Sequence, residues 1–262
     1  MKSLKNKKNK KHLIIGNGEV GMAIYNVLKS HFNVFIRGTS DNFDNHFDIL
    51  HICYPPVKNF AEITKRYIKK YKPNLVIIHS TVPVGTTKKV GSLAVHSPVR
   101  GMHIKKHHPG ILKNTRIEKS HNIDKSLYFS KSLSSFVKYF GGKKAKKAAN
   151  YFSKIGIKTL CFKKSETTEL LKIFDTTYYA WNIVFAKEIK RICDKLKLDF
   201  DEVYTIPNQD YNKGYRKLGK RHVLRPVLKP ILGKIGGHCL ISNCDLLNDW
   251  VTKTIKERNK KY

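Results

Sequence analysis

Short apolar runs alternate with longer amphipathic stretches over the first 160 residues or so of the chain. Nearly continuous apolar runs are typical of parallel strands that are covered on both faces. Helices are predicted over Met22–Leu28, Phe60–Tyr71 and Lys143–Ile155. The predicted strands are Leu13–Ile15, Asn33–Arg37, Phe47–Cys53, Asn74–His79, Leu93–His96, Phe136–Phe140 and Ile157–Phe162. This alternation predicts an α/β fold with a Rossmann-type, doubly wound parallel sheet.

The pattern changes after this region. From Glu169 to about Leu196 apolar residues recur at helical spacing, which predicts one long helix. Short helices and loops follow, with a final helix predicted over Asn243–Lys256. We therefore expect a smaller, mainly helical domain with a long central helix. The predicted divisions are a basic flexible tail at 1–11, a Rossmann-like domain at 12–162, and a smaller helical domain at 163–262; the motifs below assign NAD(P) binding to the first domain, and the family resemblance below assigns dimerisation and the substrate side to the second.

The turn after the first strand carries candidate cofactor chemistry. Its residues are Gly16, Asn17, Gly18, Glu19, Val20 and Gly21. The spacing Gly-x-Gly-x-x-Gly is the dinucleotide fingerprint, in which the glycines allow a tight turn, close approach of a pyrophosphate, and close helix packing. The following helix start offers free N–H groups to phosphate. Nucleotide binding is favoured over a purely structural role because a strand precedes the turn and a helix follows it.

Further cofactor residues are predicted where later strands end, because ligands of open α/β sheets lie beyond the carboxyl ends of the strands. They are Arg37, Tyr54, Pro55, Ser80 and Thr81. An arginine at the end of the second strand suits the 2′-phosphate of NADP. The alternative is that Arg37 stacks on adenine or faces solvent while Asp41 or Asp44 binds the ribose of NAD. The sequence leaves NAD and NADP open.

The charge balance is extreme, because 52 Lys and Arg residues face 19 Asp and Glu residues, a formal net charge of +33. A polyanion such as nucleic acid is one explanation. Biased composition is favoured instead, because the lysines are spread along the chain. Five scattered cysteines do not predict a disulfide framework, and a reduced, cytoplasmic setting is expected. We find no apolar run long enough to span a bilayer and no secretory signal, so no membrane partner is expected.

Taken together, these motifs resemble the UDP-glucose/GDP-mannose dehydrogenase family. Four segments carry the resemblance in the family's order: Gly16–Gly21, Ser80–Thr86, Glu169–Glu188 and Gly236–Cys239. The chain would cover about two thirds of a usual member and lack the C-terminal UDP-binding domain. The resemblance implies an NAD-dependent oxidation of a sugar nucleotide or related sugar, and a homodimer through the long helix.

The resemblance also implies catalytic residues. Cys239 would attack an aldehyde intermediate to give a thiohemiacetal, Lys172 would stabilise negative charge on the substrate oxygen, and Thr81 would lie beside the cofactor. Their alternatives are a structural cysteine, a solvated helix lysine and a strand-end turn residue. The sequence departs from the family at three positions: Val99 replaces a glutamate, Thr176 an asparagine, and Asn243 an aspartate.

Those departures put the complete four-electron oxidation in question and keep a second hypothesis open. The chain would then be a catalytically degenerate, nucleotide-binding or regulatory scaffold. A nucleic-acid-binding protein is a third hypothesis, less favoured because no reading motif is present. No metal is expected. His103, His107 and His108 have no nearby acid or cysteine, and a zinc site at His238, Cys239 and Cys244 would lack a fourth ligand. Residues 103–132 are predicted as a long mobile loop.

Overall fold

The computed structural model describes residues 10–101, 125–236 and 239–262. The chain divides into two compact units, Met1–Leu171 and Lys172–Tyr262. The division falls inside the long helix rather than at the predicted boundary after residue 162. The functional roles that the sequence assigns to the two parts stay predictions.

The first unit is built on a sheet with seven strands in the order β2-β1-β3-β4-β5-β6-β7. The strands are β1 (Lys11–Ile15), β2 (Asn33–Arg37), β3 (Ile49–Ile52), β4 (Leu75–Ile78), β5 (Ala94–His96), β6 (Lys138–Gly141) and β7 (Thr159–Phe162). The pairing is parallel except between β5 and β6, where His96 faces Gly141 in an antiparallel bridge. The Rossmann-type fold predicted from the sequence is confirmed, with this one reversal.

Helices cover both faces of the sheet. They are α1 (Glu19–Leu28), α2 (Phe60–Tyr71), α3 (Thr86–Val90), α4 (Lys125–Ser135) and α5 (Ala145–Ser153). One face packs Ile14, Ile49 and Ile77 with α1 and α5. The other packs Leu13, Leu50 and Val76 with α2. Because side chains alternate along a strand, adjacent apolar residues serve opposite layers, and the central strands are apolar at most positions.

The second unit is mainly helical, as predicted. It contains α6 (Ser165–Leu196) from Lys172 onward, α7 (Ile206–Lys217), α8 (Leu240–Cys244) and α9 (Trp250–Asn259). A π-helical turn at Asp201–Thr205 leads into α7, and a 3₁₀ turn lies at Arg221–Val223. Its core joins Ala180, Ile183 and Val184 of α6 to Ile235 and Ile255. No helix of the described residues is long and apolar enough to cross a membrane.

Two predictions about secondary structure were wrong. The final helix predicted over Asn243–Lys256 is two helices, α8 and α9. The second restarts because Asp249 and Thr252 form a capping box, in which the Asp249 carboxylate accepts from the Val251 N–H at 3.1 Å. The loop predicted over 103–132 is helical from Lys125, within α4. Its remainder, with His103, His107 and His108, lies outside the described residues.

Candidate functional site

The glycines of the turn after β1 have three different surroundings. Gly16 has a φ of +107°, and a Cβ there would lie 2.9 Å from the backbone of Cys53 and Tyr54. A Cβ on Gly21 would lie 1.8 Å from the Gly16 carbonyl oxygen. A Cβ on Gly18 would meet no atom of the described residues within 4 Å. The fold therefore requires glycine at the first and third positions, while the second opens onto free space.

The start of α1 has the form that a dinucleotide needs. Gly18 is its N-cap with an extended backbone, and no side chain caps the helix there. The first N–H groups of a helix have no intrahelical partner, and they carry the positive end of the helix dipole. Glu19 and Val20 form the first turn, and Val20 packs partly on the core. The open Gly18 and the uncapped helix start fit a pyrophosphate, so the residues present suit the cofactor that the motif predicts.

The end of β2 carries both of the side chains considered for the ribose. The Arg37 guanidinium lies over the Tyr67 ring at 5.3 Å and donates to the Tyr67 hydroxyl at 3.0 Å. The Asp41 carboxylate accepts from the Gly38 N–H at 2.8 Å. Asp44 pairs instead with Lys70 at 3.6 Å. Asn17 lies beside Gly38, where a Cβ would be 2.7 Å from its side-chain nitrogen.

Side-chain hydrogen bonds join the ends of β3 and β4. The Ser80 hydroxyl donates to the Tyr54 carbonyl at 2.6 Å, and the Tyr54 hydroxyl bonds to Thr64 at 2.6 Å. Burial raises the pKa of Tyr54 to about 12. Pro55 is exposed at the same edge of the sheet, and Thr81 follows Ser80 half-buried. The predicted cofactor residues Gly16, Tyr54 and Ser80 are thus brought to one edge, with the turn packed on the backbone after β3.

Glu169 is a residue that sequence reasoning missed. Its carboxylate is fully buried and accepts from the N–H groups of Gly85 at 2.6 Å and Thr87 at 2.7 Å. Burial raises its pKa, and these hydrogen bonds oppose that shift. It therefore caps α3 and holds the loop that begins at Ser80 and Thr81. In the sequence, the sign of this role is a single acid between hydroxyl and apolar residues. That pattern by itself predicts only an early acid of the long helix.

A second buried anchor acts on the same loop. His96 lies within 3.1 Å of the Ser80 carbonyl oxygen through Nε2 and within 2.9 Å of the Thr168 hydroxyl through Nδ1. The carbonyl can only accept, so Nε2 carries a proton. Both ends of the segment 80–87 are thus held by side chains of β5 and α6.

In the second unit the predicted lysine lies on α6. The Lys172 side chain is 15% exposed, and its ammonium lies 3.7 Å from the Asp175 carboxylate. One turn further along, the Thr176 hydroxyl donates to the Ile173 carbonyl at 2.9 Å. The lysine is therefore held along the helix by an acid rather than extended into water.

Two of the three departures from the family pattern contact each other. The Asn243 side-chain amide donates to the Thr176 hydroxyl at 3.1 Å, and both residues are buried. This bond joins α8 to α6 one turn from Lys172. The third departure, Val99, is buried in the apolar core of the first unit with Leu133. No carboxylate occupies any of the three positions.

Cys239 lies at the N-cap of α8 and is exposed. The Asn243 N–H donates to its carbonyl at 3.2 Å, so the Thr176–Asn243 bond also fixes the start of the cysteine's helix. Cys244 is buried, donates to the Leu240 carbonyl at 3.3 Å, and has a pKa raised by burial. Gly237 and His238 lie outside the described residues. Over the described part of the chain, no group of three His, Cys, Asp or Glu residues is placed to hold a metal ion.

Comparison with known proteins confirms the resemblance predicted from the sequence. Residues 166–256 match the model of the UDP-glucose/GDP-mannose dehydrogenase family, central domain. That segment contains Glu169, Lys172, Thr176, Cys239 and Asn243. Over this segment the chain is similar to the central domain of that family.

Individual proteins show the same similarity. UDP-N-acetyl-D-mannosamine dehydrogenase of Campylobacter jejuni is 27% identical over 237 residues, which are 87% of this chain and 52% of the relative. The chain therefore spans about half the length of this curated relative. Among solved structures, UDP-D-ManNAc dehydrogenase of Pyrococcus horikoshii superposes with a TM-score of 0.68 at 18% identity, covering 96% of this chain and 68% of that one.

A shorter dehydrogenase shares the fold as well. The 3-hydroxyisobutyrate dehydrogenase of Mycobacterium tuberculosis superposes with a TM-score of 0.63 at 13% identity, covering 96% of this chain and 93% of that one. At these identities the likeness to solved structures concerns the fold alone.

Proposed function

We propose that this chain is an NAD(P)-dependent oxidoreductase that acts on a sugar nucleotide. The observation that carries the proposal is the glycine turn after β1. Gly16 and Gly21 are fixed by backbone contacts, while Gly18 opens onto free space at an uncapped helix start. No contact among the described residues explains the missing Cβ at Gly18, whereas a bound pyrophosphate does. The family match and the Campylobacter relative support a sugar nucleotide as the substrate class.

NAD is the cofactor that the surroundings of β2 favour. The Arg37 guanidinium is already engaged by the Tyr67 ring and hydroxyl, which directs it away from a role as a free phosphate clamp. The Asp41 carboxylate lies at the end of the strand, bonded to the Gly38 N–H. A carboxylate suits the ribose hydroxyls of NAD and repels the 2′-phosphate of NADP.

Each candidate catalytic residue has one task in this proposal. When bound, the nicotinamide supplies the hydride acceptor for an alcohol carbon of the sugar. Lys172 stabilises the negative charge that develops on the substrate oxygen. Thr81 lies beside the cofactor and helps to orient it. The Ser80 and Glu169 contacts hold the loop that contains Thr81. Cys239, exposed at the start of α8, adds to the resulting aldehyde carbonyl as a thiohemiacetal.

The first, two-electron oxidation is the step that these residues support best. Val99 is an apolar core residue, and Thr176 and Asn243 are neutral partners of each other. None of these positions offers a general base for thioester hydrolysis. We therefore expect aldehyde to be released faster than acid is formed.

The same three positions favour one alternative, a nucleotide-binding scaffold without turnover. It shares the glycine turn with the leading proposal but predicts that no hydride is transferred. Formation of NADH with any sugar nucleotide separates the two, since the scaffold forms none.

Calorimetric titration with NAD⁺ and NADP⁺ tests the cofactor site. Gly18→Val is the most informative variant. No atom of the described residues lies within 4 Å of its Cβ, so the fold should stay intact. We expect wild-type protein to bind NAD⁺ more tightly than NADP⁺, and the variant to lose at least about tenfold in affinity, roughly 1.4 kcal/mol. Gly214→Val, another open glycine, is the control. Equal binding by Gly18→Val and wild type would reject the site.

Turnover of UDP-sugars, followed by NADH absorbance with separation of aldehyde and acid, tests the chemistry. Lys172→Met should lower kcat by about 10² or more, the scale of one lost electrostatic stabiliser. Cys239→Ala should suppress acid formation and spare the first oxidation. Cys161→Ala, a half-buried cysteine on β7, is the control and should change neither. Full acid formation by Cys239→Ala would exclude the thiohemiacetal.

A further inference from the structure

Three histidines lie in a row inside the sheet of the first unit. His12 is on β1, His51 on β3, and His79 directly follows β4, and none is more than 2% exposed. Strands β1, β3 and β4 are neighbours, so the row crosses the sheet from strand to strand. Because His12 is near the start of β1 and His79 is past the end of β4, the row runs diagonally from the amino end to the carboxyl end of the strands.

The rings are joined to each other by hydrogen bonds. His12 Nδ1 lies 3.0 Å from His51 Nε2, and His51 Nδ1 lies 3.0 Å from His79 Nε2. The planes of adjacent rings are nearly parallel, at 17° and 4°, and their centroids are 5.3 Å apart, so the hydrogen-bonded rings lie end to end. Every contact thus joins the Nδ1 of one ring to the Nε2 of the next, so the chain has a direction.

A buried lysine closes the carboxyl end of the row. His79 Nδ1 lies 2.9 Å from the Ser97 carbonyl oxygen. Lys138 of β6, 6% exposed, places its Nζ 3.2 Å from the same oxygen and 3.4 Å from His79 Nδ1. At the other end His12 Nε2 is buried, and no described residue offers it a hydrogen-bond partner.

The protonation of Lys138 decides which way these bonds point. Beside a neutral amine, His79 Nδ1–H donates to the Ser97 carbonyl, which can only accept, and each ring carries its proton on Nδ1. An ammonium only donates, so His79 Nδ1 becomes an acceptor and each ring carries its proton on Nε2. The contacts between rings are satisfied in both patterns; in the second, the ammonium donates to both His79 Nδ1 and the Ser97 carbonyl oxygen, two acceptors 2.9 Å apart.

We propose that His12, His51, His79 and Lys138 form a proton-transfer path across the sheet, from His12 Nε2 to the Lys138 amine. A proton arriving at His12 Nε2 releases the Nδ1 proton of that ring to His51 Nε2. The Nδ1 proton of His51 passes to His79 Nε2, and that of His79 passes to Lys138 Nζ. One proton enters, one N–H bond forms on Nζ, and all three rings end as neutral Nε2 tautomers.

The charged and titratable groups around the path agree with neutral rings and a titrating lysine. Burial lowers the pKa of Lys138 to about 7, with the Cys53 thiol as its other titratable neighbour. Burial raises the pKa of Cys53 to about 12, so that thiol stays neutral. The rings of Phe140 and Phe152 lie 5.7 and 5.1 Å from the amine, and Arg100 lines a small pocket together with Lys138.

Burial also lowers the pKa of His51 and His79 well below the ordinary value, and Lys138 and His96 add to the effect at His79. Around His12, burial outweighs the nearby Asp48 and lowers the pKa to about 4, with Lys10 acting in the same direction. The three rings therefore pass protons between neutral tautomers and do not store charge.

The entry and the exit of the path lie at opposite edges. His12 lies under the half-buried rings of Phe32 and Tyr151, which contact it at 4.9 and 5.3 Å between centroids. Motion of these rings gives solvent access to Nε2. Lys138 lies past the end of β5, at the carboxyl edge of the sheet. The path thus makes the charge of a lysine at that edge follow the solution pH, whether or not the cofactor proposal holds.

Nitrogen NMR of the full chain labelled with ¹⁵N in histidine and lysine tests the path. In wild-type protein the three rings should exchange their Nδ1 and Nε2 shifts together, with the same midpoint as the Lys138 Nζ signal, near pH about 7. Lys138→Met should hold the rings as Nδ1 tautomers at every pH. Lys187→Met, which removes another buried lysine, is the control and should leave the exchange unchanged.

Two results would overturn the proposal. Tautomers that stay fixed while Lys138 titrates would break the link between the rings and the amine, as would ring transitions with separate midpoints. Both can be read from the wild-type protein alone, so the test does not depend on whether the variants fold.

Discussion

At the scale of single residues, Glu169 is the clearest case in which one side chain organises a loop. Both of its carboxylate oxygens accept backbone N–H groups, from Gly85 and Thr87, in the absence of solvent. Such charge-assisted bonds to a helix start are stronger than neutral ones. The conformation of the loop that contains Ser80 and Thr81 therefore depends on a residue 82 to 84 positions later in the chain.

Glu169→Gln tests this role. A glutamine has one acceptor oxygen, so its NH₂ group would face one of the two N–H donors. We expect the free energy of unfolding to fall by about 1–3 kcal/mol, the cost of a buried unsatisfied polar group. Urea unfolding at neutral pH measures the change, and the exposed Glu62→Gln is the control. Equal losses in the two variants would contradict the capping role.

Arg37 is a second residue whose role depends on one side-chain contact. The sequence placed it correctly at the end of β2 but left its partner open. The structure gives it Tyr67, a residue of α2. A contact of this kind depends on the packing of a helix over the sheet, which local sequence does not specify, and so the proposal of NAD rests on the fold.

At the scale of elements, α8 is joined to α6 by the pair Asn243 and Thr176. In the sequence, each of these residues differs from the one that the family pattern has at its position. Together they form a buried hydrogen bond that fixes the start of the helix carrying Cys239. The departures thus have a structural use that neither position reveals in the sequence.

A double-mutant cycle measures this bond. Thr176→Val and Asn243→Ala should each destabilise the protein, and their coupling should be about 1 kcal/mol, the typical net worth of one hydrogen bond. Chemical unfolding of the four proteins gives the coupling. Thr176→Val combined with Asn212→Ala, whose side chain bonds to the backbone of Arg225 instead, should be additive. An additive Thr176–Asn243 pair would show that the bond contributes nothing.

Element boundaries show how far sequence reasoning reached. The prediction for α2, Phe60–Tyr71, is confirmed to the residue, because its apolar positions keep one period and the chain then turns at Lys72, whose φ is +48°. The break between α8 and α9 was missed, because an Asp249 capping box can restart a helix inside a periodic pattern.

At the scale of the whole molecule, the buried histidines predict a loss of stability in acid. The folded state holds His12, His51 and His79 neutral, with pKa values lowered by burial. Below pH about 6.5 the unfolded chain binds more protons, so stability falls with decreasing pH by up to about 1.4 kcal/mol per pH unit and group. For His12 this loss ends near pH about 4.

Urea midpoints at about pH 7.5 and about pH 5 measure this dependence. In His12→Phe the new ring keeps the packing on Phe32. The loss of stability between the two pH values should be smaller in this variant by the contribution of one histidine. His31→Gln, an exposed histidine, is the control. A His12→Phe protein with the acid loss of the wild type would exclude His12 as a contributor.

The second unit predicts self-association, as the family resemblance implied for the long helix. An apolar groove of about 460 Å³ is lined by Phe174, Thr177, Tyr178, Trp181, Trp250 and Val251. Tyr178 and Trp250 are 63% and 66% exposed, which is unusual for large aromatic residues unless a partner covers them. The groove contains none of the predicted catalytic residues, so its role is separable from turnover.

Light scattering should give twice the chain mass of 30.2 kDa for the wild type. Tyr178→Glu should shift the protein to the monomer, because a carboxylate would be buried in an apolar interface. Leu232→Glu, at a position that is 95% exposed, is the control. A monomeric wild type at micromolar concentration would reject the homodimer.

The sequence by itself determined the α/β class, the place of the glycine turn and the long helix. The class and the long helix follow from local periodicity, and the turn follows from backbone conformations that only glycine adopts easily. Both signals lie within short stretches of consecutive residues, and so do the motifs that carry the family resemblance.

Only the tertiary structure decided the contacts that give the candidate sites their chemistry. Glu169 with Gly85, His51 with His79, and Asn243 with Thr176 are separated by 84, 28 and 67 positions. Such pairs meet because strands and helices pack in a particular register, and each buried polar group must then find a partner. The sequence supplies the groups, but the packing of the chain decides which of them meet.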